Sequence, residues 1–325
     1  MKKSIPLSVA ALATAALALA ALSGAPAQAD DHDSNAVDPL PPPSYAVASA
    51  SPDWLPTPAG LAYKSCVHQV PDGAEVSEDG TVALNGVVLD KIPPCAYSGM
   101  VKVPRVADQG IGSAAAPPVP LTDGWWLDSW WTSSSQIVSH TAKWTVPPNP
   151  TSNGATVFLF PSVEPSGSGG GIVQPVLQWG VSAAGGGDYW RMANWFVPSG
   201  TGSAVFGSLV STTAGRTITG TMTRSSGTSA SWTIGFTQSS PGTGAWLTVG
   251  TGITSWKAVQ GGVLEVYYAS ACNKLPNTTS VKFSGIAVQS PSGGITPSWT
   301  NNRRVTSCSS ISSTSTTTTL GWKTF

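Results

Sequence analysis

From Trp125 onward the chain is a series of short runs rich in Val, Ile, Thr, Trp, Tyr and Phe, cut by clusters of Gly, Ser and Pro. β-Branched and aromatic runs with turn-forming punctuation are the pattern of antiparallel strands, and helical periodicity is absent. The pattern predicts strands over residues 136–146, 155–160, 171–180, 188–197, 204–211, 216–224, 229–238, 244–249, 262–270 and 280–289. Strands of this length and density suit two large stacked sheets better than a small barrel. The expected fold class is therefore all-β, a sandwich of two large antiparallel sheets.

The N-terminal end reads differently. Lys2 and Lys3 precede an Ala/Leu-rich run to Leu22, followed by Ala27-Gln28-Ala29. These are the charged, apolar and small-residue parts of a signal peptide over residues 1–29, so the chain is expected to be exported, with no membrane partner after cleavage. Residues 30–60, with Pro41-Pro42-Pro43, read as a flexible leader. A small β unit follows, in which Asn85-Gly86 splits the run 81–89 as a tight hairpin turn would. Residues 106–121 read as a linker, which sets an expected boundary between a leader, 30–121, and a sandwich domain, 122–325.

Charge sharpens that division. The chain carries 16 basic and 16 acidic residues, but 30–121 holds 11 acids against 4 bases, and the part from 122 onward 5 acids against 10 bases. An acidic front segment is thus joined to a mildly basic domain. No nucleic-acid partner is expected. The four cysteines suit two disulfides in an oxidising compartment; sequence order favours Cys66 with Cys95 and Cys272 with Cys308, while other pairings remain open. Their spacing does not suit zinc, and no metal or cofactor is expected.

With three histidines in the chain, and only His140 within the sandwich domain, histidine-based catalysis has few candidates. No serine lies in a Gly-x-Ser-x-Gly elbow. Among the five domain acids Glu265 stands out, because it lies in Val263-Leu264-Glu265-Val266-Tyr267-Tyr268-Ala269, an otherwise apolar strand. Alternation puts Glu265 on one face with Val263, Tyr267 and Ala269. A carboxyl there needs a partner or a wet groove. In Ile172-Val173-Gln174-Pro175-Val176-Leu177-Gln178-Trp179-Gly180, Gln174 and Gln178 likewise share one face of an apolar strand. Pro175 implies an edge position, a bulge or a missing ladder bond.

The ordered series of these segments resembles the eqolisins, the glutamic peptidase family built on a concanavalin A-like sandwich. Trp144-Thr145-Val146-Pro147 is similar to the family's early strand ending in Val-Pro. Ile172-Val173-Gln174 resembles its Ile-Leu-Gln strand, and Tyr189 to Trp195-Phe196 with Pro198 its aromatic stretch. Leu264-Glu265-Val266-Tyr267-Tyr268 resembles the strand carrying its glutamate. The agreement covers about residues 125–290. The resemblance implies a secreted, acid-active endopeptidase acting on polypeptides, with Gln174 and Glu265 as the catalytic pair. Glu265 would exchange protons with water and the leaving amine, and Gln174 would donate a hydrogen bond to the oxyanion. Around that pair, Phe158, Ser162, Gln178, Tyr189, Trp190, Met192, Asn194 and Tyr267 are the expected substrate-binding residues. Phe158 to Ser162 replaces the family's Trp-Val-Gly-Ile-Asp, and Trp190, Met192 and Asn194 stand where it has Asp, Trp and Glu. Residues 30–121 occupy the place of the family's propeptide.

Two other readings stay open. Fourteen tryptophans, among them Trp125, Trp126, Trp130, Trp131, Trp179, Trp190 and Trp195, suit a glycan-binding, lectin-like module. A polysaccharide-cleaving enzyme would pair Glu265 with Glu164 or Asp188.

Overall fold

The computed structural model describes residues 38–102, 122–165, 171–198, 202–225, 230–239 and 242–322. The signal peptide, the start of the leader and the linker lie outside these residues. The leader contributes one short helix, α1 (Tyr45–Ser49), and strands β1 (Trp54–Thr57), β2 (Gly60–Tyr63), β3 (Val67–Gln69), β4 (Glu75–Val76), β5 (Thr81–Leu84) and β6 (Val87–Lys91). The following part opens with β7 (Gly124–Thr132), β8 (Ser139–Thr145), β9 (Thr156–Pro165), β10 (Ile172–Ser182), β11 (Gly185–Val197), β12 (Ala204–Phe206) and β13 (Val210–Ser211). Next come β14 (Thr217–Arg224), β15 (Ser231–Gln238), β16 (Thr243–Gly250), β17 (Trp256–Tyr267) and β18 (Ser280–Ser290). The chain closes with β19 (Gly293–Ile295), β20 (Thr300–Arg303), β21 (Ser309–Thr314) and β22 (Thr317–Trp322).

Apart from β1 and β2, which pair with each other alone, these strands form a sandwich of two large sheets, with antiparallel pairing throughout except where the leader joins. The first runs β20-β7-β17-β9-β10-β11-β12-β3, with β13 also on β11; the second runs β21-β22-β18-β8-β14-β15-β16-β4-β5-β6, with β19 on β18. Their facing sides build the main core, in which Trp126, Trp144, Trp190, Trp232 and Trp256 are buried with Leu159, Leu177, Leu247 and Leu264. The sequence bears this out directly: the second sheet's strands alternate apolar inward and Ser/Thr outward, as in a sheet with one wet face.

The first sheet does not alternate. All but one residue of β10 is buried, and so is nearly all of β17. Both of its faces are covered, which is the condition under which a strand reads as a continuous apolar run. The cover on its outer face comes from the leader, where Ala48, Trp54, Leu61 and Val101 pack with Phe158, Phe160, Val176, Trp195, Val263 and Tyr267 in a second core.

Backbone pairing makes the same connection. β3 pairs in parallel with β12, Val67 to Gln69 against Ala204 to Phe206, and β4 in parallel with β16, Glu75 and Val76 against Thr248 and Val249. The leader therefore adds strands to both sheets. Among the described residues its ion pairs Lys64–Asp53 and Lys91–Asp79 lie within the leader itself. The hairpin at Asn85-Gly86 forms as expected, with both residues at positive φ (52° and 77°), joining β5 to β6. Cys66 bonds Cys95 and Cys272 bonds Cys308, the pairing that sequence order favoured.

Pro175 sits in a central strand, not at an edge. The β9–β10 ladder is broken between the Val173–Val163 and Leu177–Leu159 pairs, so the missing hydrogen bond is absorbed there. No helix among the described residues is long and apolar enough to cross a membrane.

Candidate functional site

Glu265 projects from β17 onto the outer, leader-covered face of the first sheet, between Val263 and Tyr267. It is 1% exposed. The Tyr267 hydroxyl donates to Glu265 Oε1 at 2.6 Å. Burial pushes the Glu265 carboxyl up from 4.5 to about 8, while hydrogen bonds from Tyr267 and Trp125 and the Arg304 charge pull weakly the other way. At neutral pH the group thus holds a proton. Arg304 is itself paired with Asp128, which also accepts from Asn302 Nδ2 at 2.9 Å.

Two amides share this face. The strand registers pair Gln178 with Phe158 and Phe158 with Glu265, so these three residues form one row across β10, β9 and β17. Two strand spacings, about 10 Å, separate the backbones of Gln178 and Glu265, with Phe158 between them. The pairing of Val173 with Val163 places Gln174 level with Ser162, which in turn faces Gln260. Gln174 is therefore displaced from the Glu265 row by four residues of β9, about 13 Å. Gln178 is the nearer amide. Val176-Leu177-Gln178 fits the apolar-apolar-Gln pattern as well as Ile172-Val173-Gln174 does. The sequence reading took Gln174, and the register brings Gln178 level with Glu265.

The two amides are held differently. Gln178 Nε2 donates to the carbonyls of Gly180 (2.9 Å) and Gly185 (2.8 Å), and its Oε1 accepts from Ser182 at 2.9 Å. The β10–β11 turn is built closely around it. Gly186 is at φ 123°, and a Cβ there would lie 2.6 Å from Gln178 Nε2. Gln174 Nε2 instead donates to the backbone carbonyl of Pro58, in the turn between β1 and β2. Its Oε1 has no hydrogen-bond partner among the described residues. The chain thus lays one of its own peptide groups on the face that carries Glu265. A neighbouring leader contact, from the Tyr45 hydroxyl to Asp123, ties α1 to the start of β7, and Asp123 also accepts from the Tyr268 N–H at 2.6 Å. Tyr268 is held at φ 61°, an uncommon backbone state for an aromatic residue.

The other expected residues divide by face. Phe158 and Tyr267 stand beside Glu265 and meet edge to face, with ring centroids 6.2 Å apart. Ser162 donates to Gln260 Oε1 on the same side. Trp190 and Met192 point into the main core between the sheets, and Asn194 Nδ2 reaches the Ala245 carbonyl of the opposite sheet at 2.8 Å. These three are not brought to the Glu265 face, because residues of one parity on β11 face the other sheet. Tyr189 lies near the exposed end of β11, with the Arg191 guanidinium 4.9 Å over its ring. Trp125, opposite Glu265 on β7 and expected only as a candidate for sugar stacking, completes the face with two residues that sequence reading passed over, Gln260 and Pro58. A tryptophan opposite the acid and a proline-containing turn were both visible in the sequence, but nothing local ties them to Glu265.

The acids proposed as glycosidase partners lie elsewhere. Glu164 is six residues from Phe158 along β9, about 20 Å from the Glu265 row. Asp188, exposed near the start of β11, accepts from Asn153. Paired-carboxylate cleavage needs two acids within about 10 Å, so neither completes such a site.

No family model matches the chain, and no curated protein matches it. Among solved structures it is similar to a scytalido-glutamic peptidase with a peptide-based transition-state analogue, at 12% identity and a TM-score of 0.44 over 62% of this chain and 98% of that one. A second scytalido-glutamic peptidase structure, with a transition-state analogue inhibitor, gives 13% identity and a TM-score of 0.44, with the same coverage. SCP-B, a member of the eqolisin family in complex with the tripeptide Ala-Ile-His, gives 12% and 0.43, also over 62% and 98%.

Proposed function

We propose that this chain is the exported, latent form of a peptide-bond hydrolase whose proton-exchanging group is Glu265. The observation that carries the reading is a peptide group already seated on the site's face: the Pro58 carbonyl accepts from the Gln174 amide in the core that surrounds Glu265. A face that holds one extended backbone segment by a side-chain amide can hold another. Glu265, protonated at neutral pH by burial, becomes able to exchange protons with water once the cover is gone and the carboxyl is rehydrated.

In this reading the two amides divide the work. Gln178, on the Glu265 row, is the donor to the oxyanion; for that its N–H exchanges the Gly180 or Gly185 carbonyl for the substrate oxygen. Gln174, further along the face, holds a substrate backbone carbonyl as it now holds that of Pro58. The leader is the cover, and its displacement is the activating step.

The test compares the purified full chain before and after mild acid incubation on denatured casein, with mass determination of the products and a Glu265→Gln variant alongside. Activity that appears with loss of the leader and is absent from Glu265→Gln supports the reading. Full activity in the intact chain, or in Glu265→Gln, overturns it.

A further inference from the structure

Over β8, β14, β15 and β16 the outer face of the second sheet is a hydroxyl-rich surface with one large aromatic on it. On β8, β14, β15 and β16 the outward positions are Ser, Thr or Gly, with Lys143 and Trp246 as the exceptions. In register, Thr141, Thr221, Gly235 and Trp246 form a single row across the four strands. Trp246 is 45% exposed, whereas Trp126, Trp179, Trp190 and Trp195 are buried.

The indole lies down on the sheet. A Cβ at Gly235, its cross-strand partner, would come within 2.7 Å of its Cδ1, and one at Gly244 within 2.9 Å of its Cη2. Two glycines thus make the bed on which the two ends of the ring rest, and one ring face is left to solvent. Both of its backbone polar groups are held by the leader: Trp246 N–H donates to Asp72 at 2.7 Å, and its carbonyl accepts from Gly73 at 2.9 Å. Around it the threonines hold one another in place, as Thr233 and Thr248 do at 3.0 Å, and each hydroxyl both donates and accepts. An aromatic pre-set in orientation, on a rigid sheet, loses little freedom when something stacks on it.

We propose that this face binds an uncharged polysaccharide chain, with one pyranose ring stacked on Trp246 and neighbouring sugar hydroxyls bonded to the surrounding threonines. The charge pattern selects the occupant. A phosphate polymer or an anionic lipid surface would need clustered Lys and Arg, and the outward positions of the four strands offer Lys143 alone, Arg224 of β14 being buried. A protein partner of ordinary affinity would need several apolar anchors, whereas the outward positions of these four strands supply one. A sugar ring has an apolar C–H face for the indole and a rim of donors and acceptors for the hydroxyls. The inference does not depend on the hydrolytic reading, since Trp246 and Glu265 belong to different sheets.

Depletion of the full chain from solution by microcrystalline cellulose and by insoluble chitin, at low and high salt, tests it. Retention on at least one of them, insensitive to salt, is expected; Trp246→Ala should weaken it about tenfold or more, with Trp246→Tyr retaining most of it. Glu265→Gln should be retained as the wild type is, and an unchanged unfolding midpoint establishes that Trp246→Ala is folded. Absence of retention on both matrices, equal retention of Trp246→Ala, or retention abolished by salt would overturn the proposal. So would restriction of ice growth by a chain that neither matrix retains, which would give the threonine lattice to another kind of surface.

Discussion

Tyr267 and Glu265, two residues apart on β17, point to the same face and are joined by a 2.6 Å hydrogen bond in which the tyrosine hydroxyl donates. Both are fully enclosed by the leader-covered core. The acid of the candidate site is thus held by its own strand, in surroundings that keep it protonated.

That enclosure sets a pH dependence of stability. The folded-state pKa of Glu265, about 8, lies above its ordinary value of 4.5. Below pH 4.5 the group is protonated folded or unfolded and costs nothing; between about 4.5 and about 8 the unfolded chain ionises first and stability falls by a few kcal/mol. Glu265→Gln should remove this slope and be the more stable protein above pH 8, as read by urea unfolding across that range.

Tyr267→Phe removes the donor that favours the ionised carboxyl. The pKa of Glu265 should rise further, so the loss of stability extends to higher pH than in the wild type. The protonated-carboxyl infrared band, followed by pH titration, checks this directly. An unchanged titration would mean that the hydroxyl makes no contribution.

His140 acts at the other end of the scale. It is buried between the sheets with Nδ1 3.2 Å from the Ser162 carbonyl, and burial lowers its pKa from 6.5 to about 4. A depressed histidine contributes stability that is present above pH 6.5 and lost as pH falls toward 4. His140→Gln should flatten the acid limb of the stability profile, at some cost at neutral pH from imperfect packing. Thermal unfolding at several acidic pH values is the readout.

The two amides are separable by kinetics once the leader is displaced. Gln178→Ala should lower kcat by about a hundredfold or more, the usual effect of losing an oxyanion donor. Gln174→Ala should act mainly on KM, because a carbonyl held equally in ground and transition state contributes uniform binding. The reverse pattern would make Gln174 the oxyanion donor.

The Cys66–Cys95 bridge closes a loop of the leader that includes β3 to β6. Replacing both cysteines by Ala should destabilise that part by about 2–4 kcal/mol. Faster hydrogen exchange in β3 and β4, with β14 and β15 little affected, would locate the loss at the leader's junctions with the two sheets.

Much of the architecture was legible because strand signals are local. The runs expected at 171–180 and 216–224 appear as β10 and β14 with their ends moved by two residues or fewer, since alternation and Gly/Pro punctuation act over a few positions. The Asn85-Gly86 turn was legible for the same reason. Missed were β7, where alternation is hidden in Trp125-Trp126 and Trp130-Trp131, and the Ser/Thr-rich strands β20 to β22, whose composition mimics loops.

By itself the sequence determined most of the strand content and singled out Glu265 as an acid in an apolar strand; it favoured the two cysteine pairs without fixing them. It named Gln174 as the partner of that acid, whereas the register brings Gln178 level with it. Trp190, Met192 and Asn194 were expected with it, yet they face the opposite sheet. It gave no sign that Pro58 would rest on Gln174 or that the leader would join both sheets. Those relationships belong to the tertiary structure. Side-chain periodicity along a strand is local, whereas the register between strands is decided by contacts far apart in the chain, and one residue of slip exchanges the faces.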